Sequence, residues 1–337
     1  MEEKNKSKSI VEAGIMSAIT FVLMMLTSLP GIGTIISFAI PIPIALLYLK
    51  YNLKTSICSI VISGILIGFF MGSIYGIQLA ITNGIIGLVL GTCVRKKFSG
   101  IKSFIYLIVA NTIGVLIEIA LLFSAFTGIT FNQYINELVN VFNEAAKISE
   151  QMMGSSQANT QMIELMKSMD ASFIINMIPM VLVMVIIMRA FLSYTVGKYI
   201  INKLGFKLNS LPPFSKWFFN PILIAAVVLI NLFVMLLVSK GVISNKGIYM
   251  LTLNLLFAML IIQGLAVVSN LLKYRYRFSN FLIVFISILM ITSIPQLFGI
   301  LGLIDVLIDI RGVDPNSLGS YIKEKLKKES AITNIYI

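Results

Sequence analysis

The chain has 337 residues, of which 58% are hydrophobic and 12% charged, with a formal net charge of +12 and a mean hydropathy of +0.96. A soluble domain needs far more polar cover than this for its surface, so the composition excludes one. The basic residues fall in short clusters between apolar runs, as cytoplasmic loops of a membrane protein do, and not in the continuous stripe that nucleic acid would require.

A membrane-crossing helix needs about 20 mostly apolar residues. Taken in chain order, the predicted spans are 9–29, 34–49, 55–72, 74–93, 102–126, 172–196, 219–238 and 247–271, followed by a longer apolar segment at 280–310. The fold class expected is therefore all-α, a polytopic transmembrane bundle of about 8–9 spans. The first apolar run is too long for a signal-peptide core and is read as a span. Pro30 and Gly31 break the first span from the second, and Pro41 and Pro43 are expected to kink the second, because each lacks a backbone donor. With the N-terminus inside, sixteen Lys and Arg fall on inner segments and four on outer ones. That bias places the N-terminus on the cytoplasmic side of a cell membrane. The segment 280–310 carries Pro295 within it, and the side on which the polar tail 311–337 emerges stays open.

One sizeable insert, 127–171, lies between the fifth and sixth spans, on the outer side. Phe131, Tyr134, Ile135, Leu138, Phe142 and Ala145 recur at helical spacing, so 131–153 is expected to be an amphipathic helix. A polar break at 154–160 separates it from a second short helix at 161–170, with Met152, Met153, Met162, Met166 and Met169 as an adaptable apolar face. The insert reads either as a helix lying on the leaflet or the helix ends, or as a lid or partner surface. The division expected is 9–196 as a first transmembrane region holding this insert, 197–310 as further transmembrane helices, and 311–337 as the tail.

Gly64, Gly68 and Gly72 recur at four-residue steps in the third span, and Gly84, Gly87 and Gly91 line the fourth. Such faces let helix backbones approach closely in lipid, so these two helices are expected to pack on each other or on a partner. Ala13, Gly14, Ser17 and Ala18 form a similar stripe on the first span. Among intramembrane polar groups, Gln78, Asn83 and Glu118 fall at comparable depths in the outer half, and Asn111 lies two turns below Glu118 on the same face. A carboxyl group at that depth is costly against lipid and is expected to face the bundle or a watery cavity. Gln78, Asn83, Asn111 and Glu118 are thus the candidate solute contacts, with a Glu118–Asn83 hydrogen bond as the purely structural alternative. Arg189 is placed near the inner end of its span, about 14 Å from Glu118 in depth, so no ion pair between them is expected. Asp305 and Asp309 read as the polar end of the last helix.

The chain contains no histidine, no G-x-x-x-x-G-K-[ST] loop and no H-E-x-x-H motif, so it carries neither its own ATPase nor a conventional metal centre. Cys58 and Cys93 give no disulfide or metal spacing. Enzyme activity, cofactors and metals are not expected.

The segments Glu12-Ala13-Gly14-Ile15-Met16-Ser17-Ala18, Pro41-Ile42-Pro43-Ile44 and Leu49-Lys50-Tyr51-Asn52-Leu53-Lys54 resemble YybS-like bacterial membrane proteins, as does the ending Leu301 to Asp305 through Asp309-Ile310-Arg311. The first half is similar to the S components of energy-coupling-factor transporters, which capture vitamins and related solutes from outside. That resemblance implies separate coupling and ATPase subunits, with Ala13, Ser17 and Ala18 matching the first-helix stripe that contacts the coupling subunit. The chain departs from it in the outer insert and about three further spans. Two functional readings follow: a small-solute binding or transport protein, or a non-transporting scaffold in envelope assembly or signalling.

Overall fold

In the computed structural model the described residues are 2–123, 130–153, 163, 164, 166, 169–242, 247–279, 282, 283, 285–287, 290, 294–314 and 321. They form helices and no strands: α1 (Glu2–Leu26), α2 (Ile32–Ser37), α3 (Pro41–Lys50), α4 (Leu53–Met71), α5 (Ser73–Arg95), α6 (Gly100–Leu121), α7 (Phe131–Met153), α8 (Ala171–Lys203), α9 (Pro221–Ser239), α10 (Gly247–Asn270) and α11 (Pro295–Ile308). Among the described residues seven spans are long and apolar enough to cross a bilayer, with α2 and α3 together making one of them; Ile10–Leu26 and Pro295–Ile308 are shorter apolar helices. The chain is an all-α, multi-pass membrane protein. Half of the expected second helix of the insert, at 161–170, and most of 280–293 and of the tail lie outside the described residues.

The local chemistry explains the boundaries. The second span divides at residues 38–40, and Pro41 opens α3 as its first residue, where a missing N–H costs nothing. Asn52 caps α4 by accepting from Thr55 N at 2.9 Å, and Asp170 caps α8 by accepting from Phe173 N at 2.7 Å. Each satisfies a backbone donor that the helix itself leaves open. Gly72 sits at φ 101 between α4 and α5, a conformation a side chain would resist. Helix α7 has the bounds its periodicity predicts, whereas α8 runs seven residues past the expected end at 196, to Lys203.

The chain divides into two compact units, one of Met1–Ile174 with Val181–Leu211 and one of Ile175–Met180 with Pro212–Ile337. In the first, α5 is the central helix, packed by α3, α4 and α6. Its buried residues Ile86, Leu90, Cys93 and Val94 meet Ile42, Ala45 and Leu46 of α3, Leu107 and Ala110 of α6, and Ala190, Tyr194 and Ile201 of α8. Helix α1 is tied to α4 by a buried Ser17–Ser59 hydroxyl bond of 2.8 Å and to α3 by an exposed Glu12–Lys50 pair at 3.1 Å, the latter worth little in water.

One end of this unit is clamped. Asn209 Nδ2 donates to the carbonyls of Phe98 at 2.8 Å and Lys97 at 3.4 Å, and the Tyr194 hydroxyl donates to the Asn209 carbonyl. Asn202 Oδ1 accepts from Leu208 N at 2.8 Å. A Cβ on Gly100 would fall on the Ser210 carbonyl, so the α5–α6 turn and the segment after α8 touch backbone to backbone.

In the second unit α10 packs on α11, on α9 and on the 214–216 turn. Asn231 of α9 donates to Thr252 Oγ1 of α10 at 2.9 Å. Helices α10 and α11 meet through glycines: a Cβ on Gly264 would fall on the Phe298 carbonyl, and one on Gly302 on the Leu260 carbonyl.

Candidate functional site

Helices α5 and α6 run antiparallel, joined by the turn at 96–99, so the start of α5 lies level with the end of α6. Gln78 and Glu118 therefore come to the same end of the first unit. They line a cavity of about 390 Å³ with Val115, Ile119, Leu122, Leu182, Val185 and Arg189. Arg189 of α8 binds Glu118 end-on, Nη1 to Oε2 at 2.8 Å and Nη2 to Oε1 at 3.0 Å. The two side chains retain 27% and 25% exposure, so the pair is neither in bulk water nor sealed from it.

This pair overturns the depth argument against it. The error lay in ending the helix at 196. Arg189 stands 14 residues before Lys203, about 21 Å from the true helix end, and Glu118 stands 18 residues after Gly100, about 27 Å from the start of its own helix. The remaining offset of about 6 Å is within reach of an extended arginine. The sequence signal available was the apolar pattern Tyr194, Gly197 and Ile201, which continues past Lys198 on the buried face.

Asn83 and Asn111 do not line this cavity. Each is buried and donates to the carbonyl four residues back on its own helix, Asn83 to Leu79 at 2.9 Å and Asn111 to Leu107 at 2.8 Å. The alternative Glu118–Asn83 bond is not formed: the Asn83 amide donates to Leu79 on its own helix, and Glu118 is bound by Arg189 instead. Below the cavity α5 and α6 close where Thr82 Cγ2 stands 2.8 Å from where a Cβ of Gly114 would be.

The small residues divide between two roles. A Cβ on Gly64 would meet Ala80 Cβ at 2.7 Å, and one on Gly84 would meet Ile60 Cδ1 at 2.9 Å, both across α4 and α5. Gly68 faces Ser73 at 3.3 Å, and Gly72 makes the turn. Gly87 and Gly91 do not face α4: they receive α3, with Pro41 O at 2.6 Å and Tyr48 Cδ1 at 2.7 Å from the Cβ positions. Gly76, absent from the expected set, is among the tightest, 2.5 Å from Gly68 N. On α1, Ala13 and Ser17 are buried, while Ala18 is exposed.

The second unit holds a buried polar knot where a solvated helix end was expected. Asp305 is fully buried and pairs with Arg311, 2.8 Å away, whose side chain is 2% exposed. Arg311 also donates to the carbonyls of Ser215 at 2.8 Å and Trp217 at 2.7 Å. Gln263 of α10 donates to the same Asp305 oxygen at 2.7 Å and accepts from Phe219 N at 3.0 Å. Asp309 is buried too; its carboxylate accepts from Val313 N and Asp314 N, each at 2.9 Å, which caps the chain as it leaves α11.

Comparison with known proteins agrees with this architecture. The chain is 24% identical over 270 residues to the protein named "Uncharacterized protein YybS" of Bacillus subtilis (strain 168), covering 77% of this chain and 83% of that one. No solved structure matches it. The family described as "Predicted membrane protein (DUF2232)" matches residues 18–306, a stretch that runs from α1 into α11 and takes in both the Glu118–Arg189 cavity and Asp305. The chain belongs to that family.

Proposed function

We propose that this chain is a cell-membrane protein that binds a small solute in the cavity of its first unit, entering from the outer half of the bilayer. The observation that carries this reading is the convergence of Gln78, Glu118 and Arg189 on one cavity of about 390 Å³ with aliphatic walls. That combination of an apolar pocket with a few oriented polar groups, in the size range of small-ligand sites, is what recognition of a small molecule needs. An ion pair placed inside a span is itself costly, and such groups mark solute or ion pathways more often than lipid-facing surfaces. Taken with the sequence resemblance of the first half to S components, the proposal has coupling and ATPase subunits supplied by other chains. Of the three residues matching the coupling stripe, Ala18 is the one exposed for such a contact.

A non-transporting scaffold is the second reading. It is favoured by the mutual neutralisation of Glu118 and Arg189, since a closed ion pair can hold helices together without a ligand. Native mass spectrometry of the gently solubilised protein separates the two. A retained small-molecule mass that Leu182→Trp removes, by filling the cavity without touching the ion pair, is the expected result. Absence of any adduct, together with a stable partner that is not an ATPase, supports the scaffold and rejects solute binding.

The orientation rests on the basic residues, sixteen inner against four outer. In a background lacking Cys58 and Cys93, Asn140→Cys on α7 is expected to react with an impermeant maleimide on intact cells. Lys97→Cys is expected to react only once the membrane is broken. The reverse pattern would invert the topology and close the route from outside.

A further inference from the structure

The cavity's charge balance specifies more than the presence of a solute. We propose that the solute is a small zwitterion with an aliphatic body, carrying a carboxylate and an ammonium a few bonds apart; this rests on the solute-binding reading above. Glu118 and Arg189 compensate each other, so the site is net neutral. A solute of net charge would bring an uncompensated charge to a place already partly withdrawn from water, where it is expensive. A net-neutral solute avoids that cost.

The neutral site is nonetheless strongly polarised. A guanidinium has five N–H donors, and Glu118 takes two of them, leaving three for an incoming carboxylate. Each Glu118 oxygen accepts one bond from Arg189 and keeps capacity for an ammonium donor. The donor and acceptor atoms of the pair are 2.8 and 3.0 Å apart, so the complementary charges on a ligand must also be near neighbours, as they are in an α-amino acid. Gln78, which makes no side-chain hydrogen bond among the described residues, offers both a donor and an acceptor at the same cavity. The remaining walls, Val115, Ile119, Leu122, Leu182 and Val185, are all aliphatic. They suit a branched hydrocarbon side chain and offer nothing to a phosphate or a sugar.

The test is equilibrium dialysis of the full chain in lipid nanodiscs against radiolabelled alanine, valine, leucine, isoleucine and methionine. Isocaproate and isoamylamine, which keep one charge of leucine each, serve as comparison probes. At least one of the amino acids is expected to bind, with both single-charge analogues at least tenfold weaker than leucine. Glu118→Gln, which leaves the guanidinium uncompensated, should shift the preference toward isocaproate at least tenfold, and Arg189→Gln should shift it toward isoamylamine. Analogues that bind the parent as well as leucine does, or preferences unmoved in variants that fold, overturn the zwitterion while leaving solute binding standing. A retained solute of another class, displaced by Leu182→Trp, does the same. No binding by any probe, with no retained solute in the parent, overturns both.

Discussion

Arg311→Ala is expected to cost about 3–5 kcal/mol of stability, because it breaks a buried ion pair by removing one partner. Arg311 is 2% exposed and Asp305 fully buried, so removing the guanidinium leaves a carboxylate without its countercharge. The only other donor recorded on that carboxylate among the described residues is the Gln263 amide. The carbonyls of Ser215 and Trp217 lose donors at the same time. The check is thermal unfolding of the purified protein in mild detergent. Arg311→Lys should rescue little, because an ammonium cannot serve three acceptors held in the plane of a guanidinium. The double change Asp305→Leu with Arg311→Met should recover most of the loss, since a buried pair replaced by apolar groups of similar size is often neutral. If Arg311→Ala melts like the parent, the knot contributes nothing to the fold.

Gly264→Val should be the next most damaging substitution, by at least the 1–3 kcal/mol typical of an overfilled interface. Its Cβ would coincide with the Phe298 carbonyl, which is main chain and has no rotamer to change. Helices α10 and α11 would have to separate, and in lipid such contacts are held by close packing, with no hydrophobic drive to restore them. Gly14→Ala is the matched control, because nothing lies within 4 Å of its Cβ position. Gly264→Val is expected to lower the melting temperature by several degrees while Gly14→Ala leaves it unchanged or slightly raised. Equal melting of the two would mean that α10 and α11 are not in contact through this face.

Much of the bundle was legible from patterns that a membrane enforces locally. The bounds of α7 followed from strong contrast between its polar and apolar faces, and the break before α3 from two prolines one residue apart. The candidate site was half legible. Glu118 and Gln78 could be placed by counting along α5 and α6, whose ends are marked by turns. Arg189 could not, because Lys198 looked like the end of a span while the helix continued to Lys203. An asparagine's direction is likewise invisible in sequence: Asn83 and Asn111 turned back onto their own helices. Asp305 was misread for a related reason. A charge at the end of an apolar run resembles a solvated flank until the distant Gln263 and the 215–217 backbone are brought against it.

The clamp at Asn209 has a mechanical consequence for the cavity. It joins the α5–α6 turn to the chain after α8 at one end of the first unit, while Gln78, Glu118 and Arg189 sit toward the other. Glu118 lies about 27 Å along its helix from Gly100, whose backbone is seated against Ser210. Rotation of α8 about that fixed point moves the clamp hardly at all and the cavity most. A tilt of α8 by about 5° over the roughly 21 Å from Lys203 to Arg189 displaces the guanidinium by roughly 2 Å, enough to carry both of its bonds to Glu118 beyond hydrogen-bonding distance. The clamped end and the cavity end are therefore opposite ends of the same three helices, and contacts that stiffen the one do not constrain the other.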